Sequence, residues 1–249
     1  MTKNSVAIVG ANRLAEELAA LMKEKGVEPR WSGDVDTVAS TVELVIDTEG
    51  GAEERKRAAL LQRLDRSLPA SSLIVSSCLR FSTTRMGSWI QHPERLVGFA
   101  TFFPLKERRL IELAGGLRTS EASIHQAEEL MQSIGKASVR VKDTAGLTFP
   151  RILSLIINEA ARSLEEGVAS ADEIDVAMRL GVNYPQGPLR WADQIGLDDV
   201  LAVLEGLEQE TGDDRYRPAP LLKKLVVAGF LGEVSGRGFY SYSEKQVRP

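Results

Sequence analysis

An α/β domain over residues 1–144, followed by an all-α domain over 145–249, is what the sequence predicts. Three observations carry the prediction. Short β-rich apolar runs alternate with amphipathic stretches through the first half, as in a mostly parallel sheet covered by helices on both faces. Beyond "VKDTAGLTFP" the strand signal almost vanishes and helical periodicity takes over. A length of 249 residues leaves room for two cores, since single domains commonly hold ~100–150 residues.

In order along the chain, "SVAIVG" (5–10) is an apolar run ending in glycine. "RLAEELAALMKEK" (13–25) puts Leu14, Leu18, Leu21 and Met22 on one helical face, with Gly26 as its stop. "VELVID" (42–47), "LIVSS" (73–77), "LVGFA" (96–100), "LIELA" (110–114) and "ASVRV" (137–141) read as strands. "AEERKRAALLQRLDR" (52–66) and "SEASIHQAEELMQSI" (120–134) read as helices between them. Helices are then expected at 151–167, 171–180, 197–210 and 219–229, with "GVNYPQGP" (181–188) as a helix connection. "SADE" is a capping box, Ser170 as N-cap and Glu173 reaching back.

Composition narrows the function classes. A formal net charge of -4 supplies no field for nucleic acid or an anionic membrane surface. No apolar run is long enough to span a bilayer, and the first thirty or so residues lack a secretory layout. The lone cysteine, Cys78, has no partner for an internal disulfide, and His92 and His125 lack zinc-ligand spacing. The expectation is a cytoplasmic protein without a metal site. Trp31, Trp89 and Trp191 read as core or interface anchors.

The turn in "VAIVGANRLAEELAALM" joins a strand to a helix with Gly10, Asn12 and Ala15 at the positions of G-x-G-x-x-G. That fingerprint brings a diphosphate onto a helix N-terminus, so the first domain reads as Rossmann-like. Alanine is an accepted third residue. Asn12 tolerates left-handed backbone angles, but its side chain fills space the diphosphate needs. The acid expected for the ribose hydroxyls falls at Gly33, with Asp34 one step later. Arg13, Arg30 or Ser32 could instead meet the 2′-phosphate of NADP. Two readings stand side by side, NAD or NADP binding and a scaffold with weak or absent cofactor affinity.

By its second half above all, the chain resembles the 3-hydroxyacyl-CoA dehydrogenase family. The segments are "NEAARSLEEGVASADEIDVAMRLGVNYPQGPLRWADQIGLDDV" (158–200) and "LLKKLVVAGFLGEVSGRGFYSY" (221–242). "GDDRYRPAPLL" (212–222) looks most like the divergent C-terminal half of the duplicated 3-hydroxyadipyl-CoA dehydrogenases of phenylacetate breakdown. The resemblance implies a Rossmann domain, a helical domain that dimerises, NAD as cofactor and an acyl-CoA substrate.

It also implies a site in which a histidine takes the hydroxyl proton, held by a glutamate, with serine and asparagine around the reacting oxygen. The family's G-x-H-F-F-N-P is here "GFATFFP", so Ala100 replaces the histidine and Phe103 the asparagine. Its S-N-T-S is "SSCL": Ser76 stays, Ser77 replaces asparagine and Leu79 the serine. A further asparagine falls on Pro150, and the glutamate alone is kept, as Glu112 in "LIELA". Ser77 and Arg109, the latter near the family's CoA-side lysine, are the substrate-binding candidates, and a solvated turn is the plain alternative for "KERR" (106–109).

Losing a general base costs a factor of roughly 10²–10⁴, or about 3–5 kcal/mol of barrier. Lost oxyanion donors add a similar amount. Among substitutes, Ser77 and Thr101 are not bases unaided, Cys78 reads as a buried small hydrophobe, and neither histidine falls near the site. The expectation is therefore a family member with a degraded site, a partner or non-catalytic subunit acting as homodimer or with an active dehydrogenase. The competing expectation is an active NAD(P)-dependent enzyme with relocated catalytic groups.

Overall fold

The computed structural model describes residues 6–32 and 42–242; Gly33, Asp34 and the side chains of Trp31 and Ser32 lie outside the described residues. It divides into two units, Met1–Phe149 and Pro150–Pro249.

The first unit is a seven-stranded sheet in the order β2-β1-β3-β4-β5-β6-β7. Its strands are β1 (Val6–Val9), β2 (Arg30–Ser32), β3 (Leu44–Asp47), β4 (Leu73–Ser77), β5 (Leu96–Ala100), β6 (Leu110–Gly115) and β7 (Ala137–Arg140). The first five are parallel; β6 runs antiparallel to β5, and β7 follows β6. Central strands β1, β3, β4 and β5 are buried at every position, whereas edge strand β7 is mostly exposed. This is why the inner strands read as unbroken apolar runs.

Helices α1 (Arg13–Glu24), α2 (Glu54–Ser67), α3 (Thr83–Gly87) and α4 (Glu121–Ser133) connect them. Leu14, Leu18 and Met22 of α1 and Ala127, Leu130 and Met131 of α4 join one core with Ile8, Ile46, Val75, Val97 and Leu113. Leu21 packs against that core partly buried, and Gly26 ends α1's turn at φ 77. Strand order reverses between β1 and β3, so their carboxyl ends form the crevice where ligands bind in open α/β sheets.

The second unit holds most of α5 (Phe149–Glu165), then α6 (Ala171–Val182), α7 (Pro188–Ile195), α8 (Leu197–Thr211) and α9 (Pro220–Val227). Its core contains Leu153, Ile157, Leu189, Ile195, Val200, Val203, Leu204, Leu207 and Leu222. The Ser170–Glu173 capping box forms in full. Helix α7 is absent from the sequence reading, which ends its connection at Pro188. Pro188 instead opens α7 at a position that needs no N–H, and Asp175 caps it by accepting from Leu189 N (2.8 Å) and Arg190 N (3.0 Å). No helix among the described residues is long and apolar enough to cross a membrane.

Candidate active site

Gly10, Asn12, Arg13 and Ala15 follow β1, and Ser76, Ser77 and Ala100 close the parallel strands β4 and β5 at their carboxyl ends. After β1 the backbone turns at Gly10 with φ 139, where a Cβ would lie 2.1 Å from Thr48 Oγ1. Asn12 is extended (φ -115, ψ 167), not left-handed, because it is the N-cap of α1. Its Oδ1 accepts from Ala15 N at 3.0 Å, and its Nδ2 donates to the Thr48 carbonyl at 2.8 Å. Thr48 is bonded back to β1, its N (3.0 Å) and Oγ1 (3.2 Å) donating to the Val9 carbonyl. The Ala11 amide donates to Glu49 Oε1 at 3.0 Å. Arg13 lies over the Phe103 ring, 4.1 Å from its centre. As placed, these groups do not fit a dinucleotide diphosphate, because a carboxylate already takes the loop amide that would meet it.

At the ends of β3 and β4, Ser76 and Asp47 hold a buried arginine that the sequence reading passed over. Arg57 Nη1 pairs with Asp47 Oδ2 at 2.5 Å, both side chains fully buried. Its Nη2 donates to Ser76 Oγ (2.7 Å) and the Ser77 carbonyl (2.9 Å), while Ser76 Oγ donates to Asp47 Oδ2 (2.8 Å). An acid closing the strand "LVID" and an arginine on the following helix were the legible signal, and Thr48 and Glu49 follow that acid directly. Ser77 packs under Gly50, where a Cβ would lie 2.2 Å from Ser77 Oγ and 3.3 Å from Leu79 Cβ. Leu79 is buried, and the buried hydroxyls of Ser77 and Thr101 have no hydrogen-bond partner among the described residues.

Ala100, the last residue of β5, is paired with Glu112 in the antiparallel ladder to β6. Glu112 is buried, and its carboxylate accepts from Thr148 N (2.9 Å) and from Phe149 N (3.0 and 3.2 Å). It therefore accepts from amides at the start of α5, a place where helix geometry provides no intrahelical acceptor. Both amides belong to the first unit, which runs to Phe149. Phe103 is half-buried; its neighbour Phe102 is fully buried and meets Phe149 edge-on with ring centres 6.2 Å apart. Pro150 occupies the first turn of α5, where its missing N–H is no loss. Arg109 is exposed on the turn before β6 and is not joined to these residues.

The remaining titratable groups are accounted for elsewhere. Cys78 is buried with its thiol donating to the Phe99 carbonyl (3.1 Å), and burial, reinforced by Asp143, pushes its pKa well up. His92 is exposed beside Glu94, near the amino end of β5, and His125 is exposed on α4 between Glu128 and Glu129. Trp89 packs edge-on to Phe81 and Trp191 to Tyr184. No group of three His, Cys, Asp or Glu among the described residues could hold a metal ion.

Comparison with known proteins adds to this geometry. Residues 28–144 match the family described as 3-hydroxyacyl-CoA dehydrogenase, NAD binding domain, and residues 146–242 match 3-hydroxyacyl-CoA dehydrogenase, C-terminal domain. The chain is 40% identical over 189 residues to a probable 3-hydroxybutyryl-CoA dehydrogenase of Bacillus subtilis (strain 168), covering 76% of this chain and 66% of that protein. It is 38% identical over 200 residues to a 3-hydroxybutyryl-CoA dehydrogenase of Bradyrhizobium diazoefficiens, covering 80% and 68%. The chain thus spans about two thirds of the length of these relatives. Among solved structures, M. tuberculosis FadB2 superposes with TM-score 0.85 at 26% identity over 96% of this chain and 99% of that one. (S)-3-hydroxybutyryl-CoA dehydrogenase PaaH1 from Ralstonia eutropha does so with TM-score 0.77 at 32% identity, over 97% and 99%.

Proposed function

Because the chain belongs to the 3-hydroxyacyl-CoA dehydrogenase family, we propose that it is a catalytically degenerate member, a non-catalytic or partner subunit in acyl-CoA metabolism. One observation carries the reading: a methyl group, that of Ala100, stands opposite Glu112, and the Glu112 carboxylate caps α5. Hydride transfer from a secondary alcohol needs a base at the hydroxyl, and a carboxylate already bonded to two backbone amides is a poor one. Nearby, the side chains of Leu79 and Phe103 offer the reacting oxygen no hydrogen-bond donor. Cys78, its thiol pushed up by burial, and the exposed histidines do not replace the lost base. Binding of NAD or NADP is weak or absent on this reading.

The partner in this proposal is a second helical domain of the same family, from another copy or from an active dehydrogenase subunit. The helical unit exposes Ile152, Val176, Leu180 (75%), Val182 and Val227 (88%). A groove of about 380 Å³ runs between α5 and α6, lined by Ile156, Val168, Ile174 and Met178. Exposed apolar surface favours association. The "GDDRYRPAPLL" segment supports a kinship with the divergent half of the duplicated 3-hydroxyadipyl-CoA enzymes.

The test is NADH and NADPH consumption by the purified chain with a panel of 3-oxoacyl-CoA substrates. The expected result is no turnover above the uncatalysed rate. Turnover at about one per second or faster, ordinary for an enzyme, would overturn the proposal and establish an active NAD(P)-dependent dehydrogenase with relocated groups. Light scattering alone, and mixed with a histidine-bearing relative, reads the association: a dimer or mixed complex is expected, and a monomer in both cases sinks the partner role.

A further inference from the structure

We infer that Glu49 is a built-in occupant of the dinucleotide diphosphate position, so that this chain closes its own cofactor crevice. The inference deepens the non-catalytic reading and rests on it, but it is tested by binding and not by turnover.

The crevice in question lies between the carboxyl ends of β1 and β3, where the strand order reverses. In a working site of this kind, the turn after β1 offers free backbone amides and the positive end of α1 to the diphosphate. Here four hydrogen bonds join the loop after β3 to β1 and the turn after it, the one from Thr48 N continuing the β1–β3 ladder. Thr48 N and Thr48 Oγ1 both donate to the Val9 carbonyl, Asn12 Nδ2 donates to the Thr48 carbonyl, and Ala11 N donates to Glu49 Oε1. The Ala15 amide, inside the first turn of α1, is taken by Asn12 itself.

Two consequences follow from the chemistry. Glu49 brings a negative charge to the point where a diphosphate would bring its own, so nucleotide entry meets like-charge repulsion as well as a lost amide donor. Thr48 Oγ1 fills the space beside Gly10, 2.1 Å from where a Cβ would be. The glycine's lack of a side chain therefore admits a threonine hydroxyl from the same chain, not a phosphate oxygen. An anion at a helix N-terminus is stabilising, so the arrangement gives α1 from within what a bound cofactor would otherwise supply.

The test is titration of NADH and ADP-ribose, followed by calorimetry, into the full chain and into Glu49→Gln, Glu49→Ala and Thr48→Ala/Glu49→Ala, with thermal melts to establish that each variant is folded. The wild type is expected to show no saturable binding. Glu49→Ala should gain affinity by about fivefold or more, the effect of removing one like charge at about 4 Å in hydrated surroundings. Glu49→Gln, which keeps an acceptor and drops the charge, should recover part of that gain, and the double variant should bind at least as well as Glu49→Ala. Wild-type binding in the micromolar range that Glu49→Ala leaves unchanged would overturn the inference. So would a folded Glu49→Ala and double variant that bind no better than the wild type. In that last case the non-catalytic reading stands untouched, since it fails only on turnover.

Discussion

Ala100 and Glu112 are direct partners in the antiparallel β5–β6 ladder, and the carboxylate of Glu112 is spent on the amides of Thr148 and Phe149. Residues facing each other across such a ladder have Cβ atoms about 4.5–5.5 Å apart. A histidine at position 100 would stand within reach of the glutamate, as the resemblance to the family implies. With alanine there, the acid is left to cap a helix.

Glu112→Ala is accordingly expected to destabilise the protein. Two part-buried amides at the start of α5 lose a charged acceptor, and loss of an N-terminal cap or of a bond to a charged group costs about 1–3 kcal/mol. Urea denaturation measures it. Glu112→Gln, which keeps an acceptor oxygen, should lose less than Glu112→Ala. Equal stability for wild type and Glu112→Ala would mean that the cap contributes nothing.

The Asp47–Arg57 pair should be far more sensitive. Both side chains are fully buried, and Ser76 completes the network. Asp47→Ala strands a buried guanidinium, and breaking a buried pair from one side costs about 3–5 kcal/mol. Replacing both residues with apolar ones, Asp47→Leu/Arg57→Met, should recover much of that loss. A double variant no better than the single would show that the arginine's unpaired charge is not what the single substitution exposes.

A pH effect is expected in the helical unit. Asp193 is buried and accepts from Phe239 N, Tyr240 N and Tyr242 Oη, each at 2.9 Å. Burial, with a smaller push from Glu233, raises its pKa to about 6 against the donors that pull it down. The folded unit therefore holds a proton over a range, from about 6 down to the ordinary aspartate value near 4, in which the unfolded chain does not. The stability this group contributes is present at low pH and lost as pH rises through about 6. Between pH 7 and pH 5 the wild type should gain about 1 kcal/mol relative to Asp193→Asn. Parallel stability–pH curves for the two proteins would disprove it.

The sequence was most legible where periodicity is set by burial. Strands at 73–77 and 96–100 were readable to the residue, because they are buried throughout and appear as short apolar runs between turns. The Ser170–Glu173 box needed four adjacent residues and nothing else. Helix α7 was missed because its apolar face falls just after a stretch rich in proline and glycine, and its cap, Asp175, comes from the preceding helix. The identity of Asn12 points to left-handed angles, whereas the residue is an extended N-cap.

By itself the sequence determined the order and type of most elements, the family pattern, and the apolar residues Ala100, Leu79 and Phe103 at the positions where the resemblance implies polar ones. These are properties of local periodicity or of residue identity at a position, and both survive without coordinates. Only the tertiary structure decided what the surviving groups do instead. The capping of α5 by Glu112, the burial of Arg57 against Asp47 and the seating of Glu49 on Ala11 all join residues far apart in the chain. Each contact depends on which strand ends meet at the edge of the sheet, and hydrogen bonds and ion pairs between distant residues leave no period in a sequence.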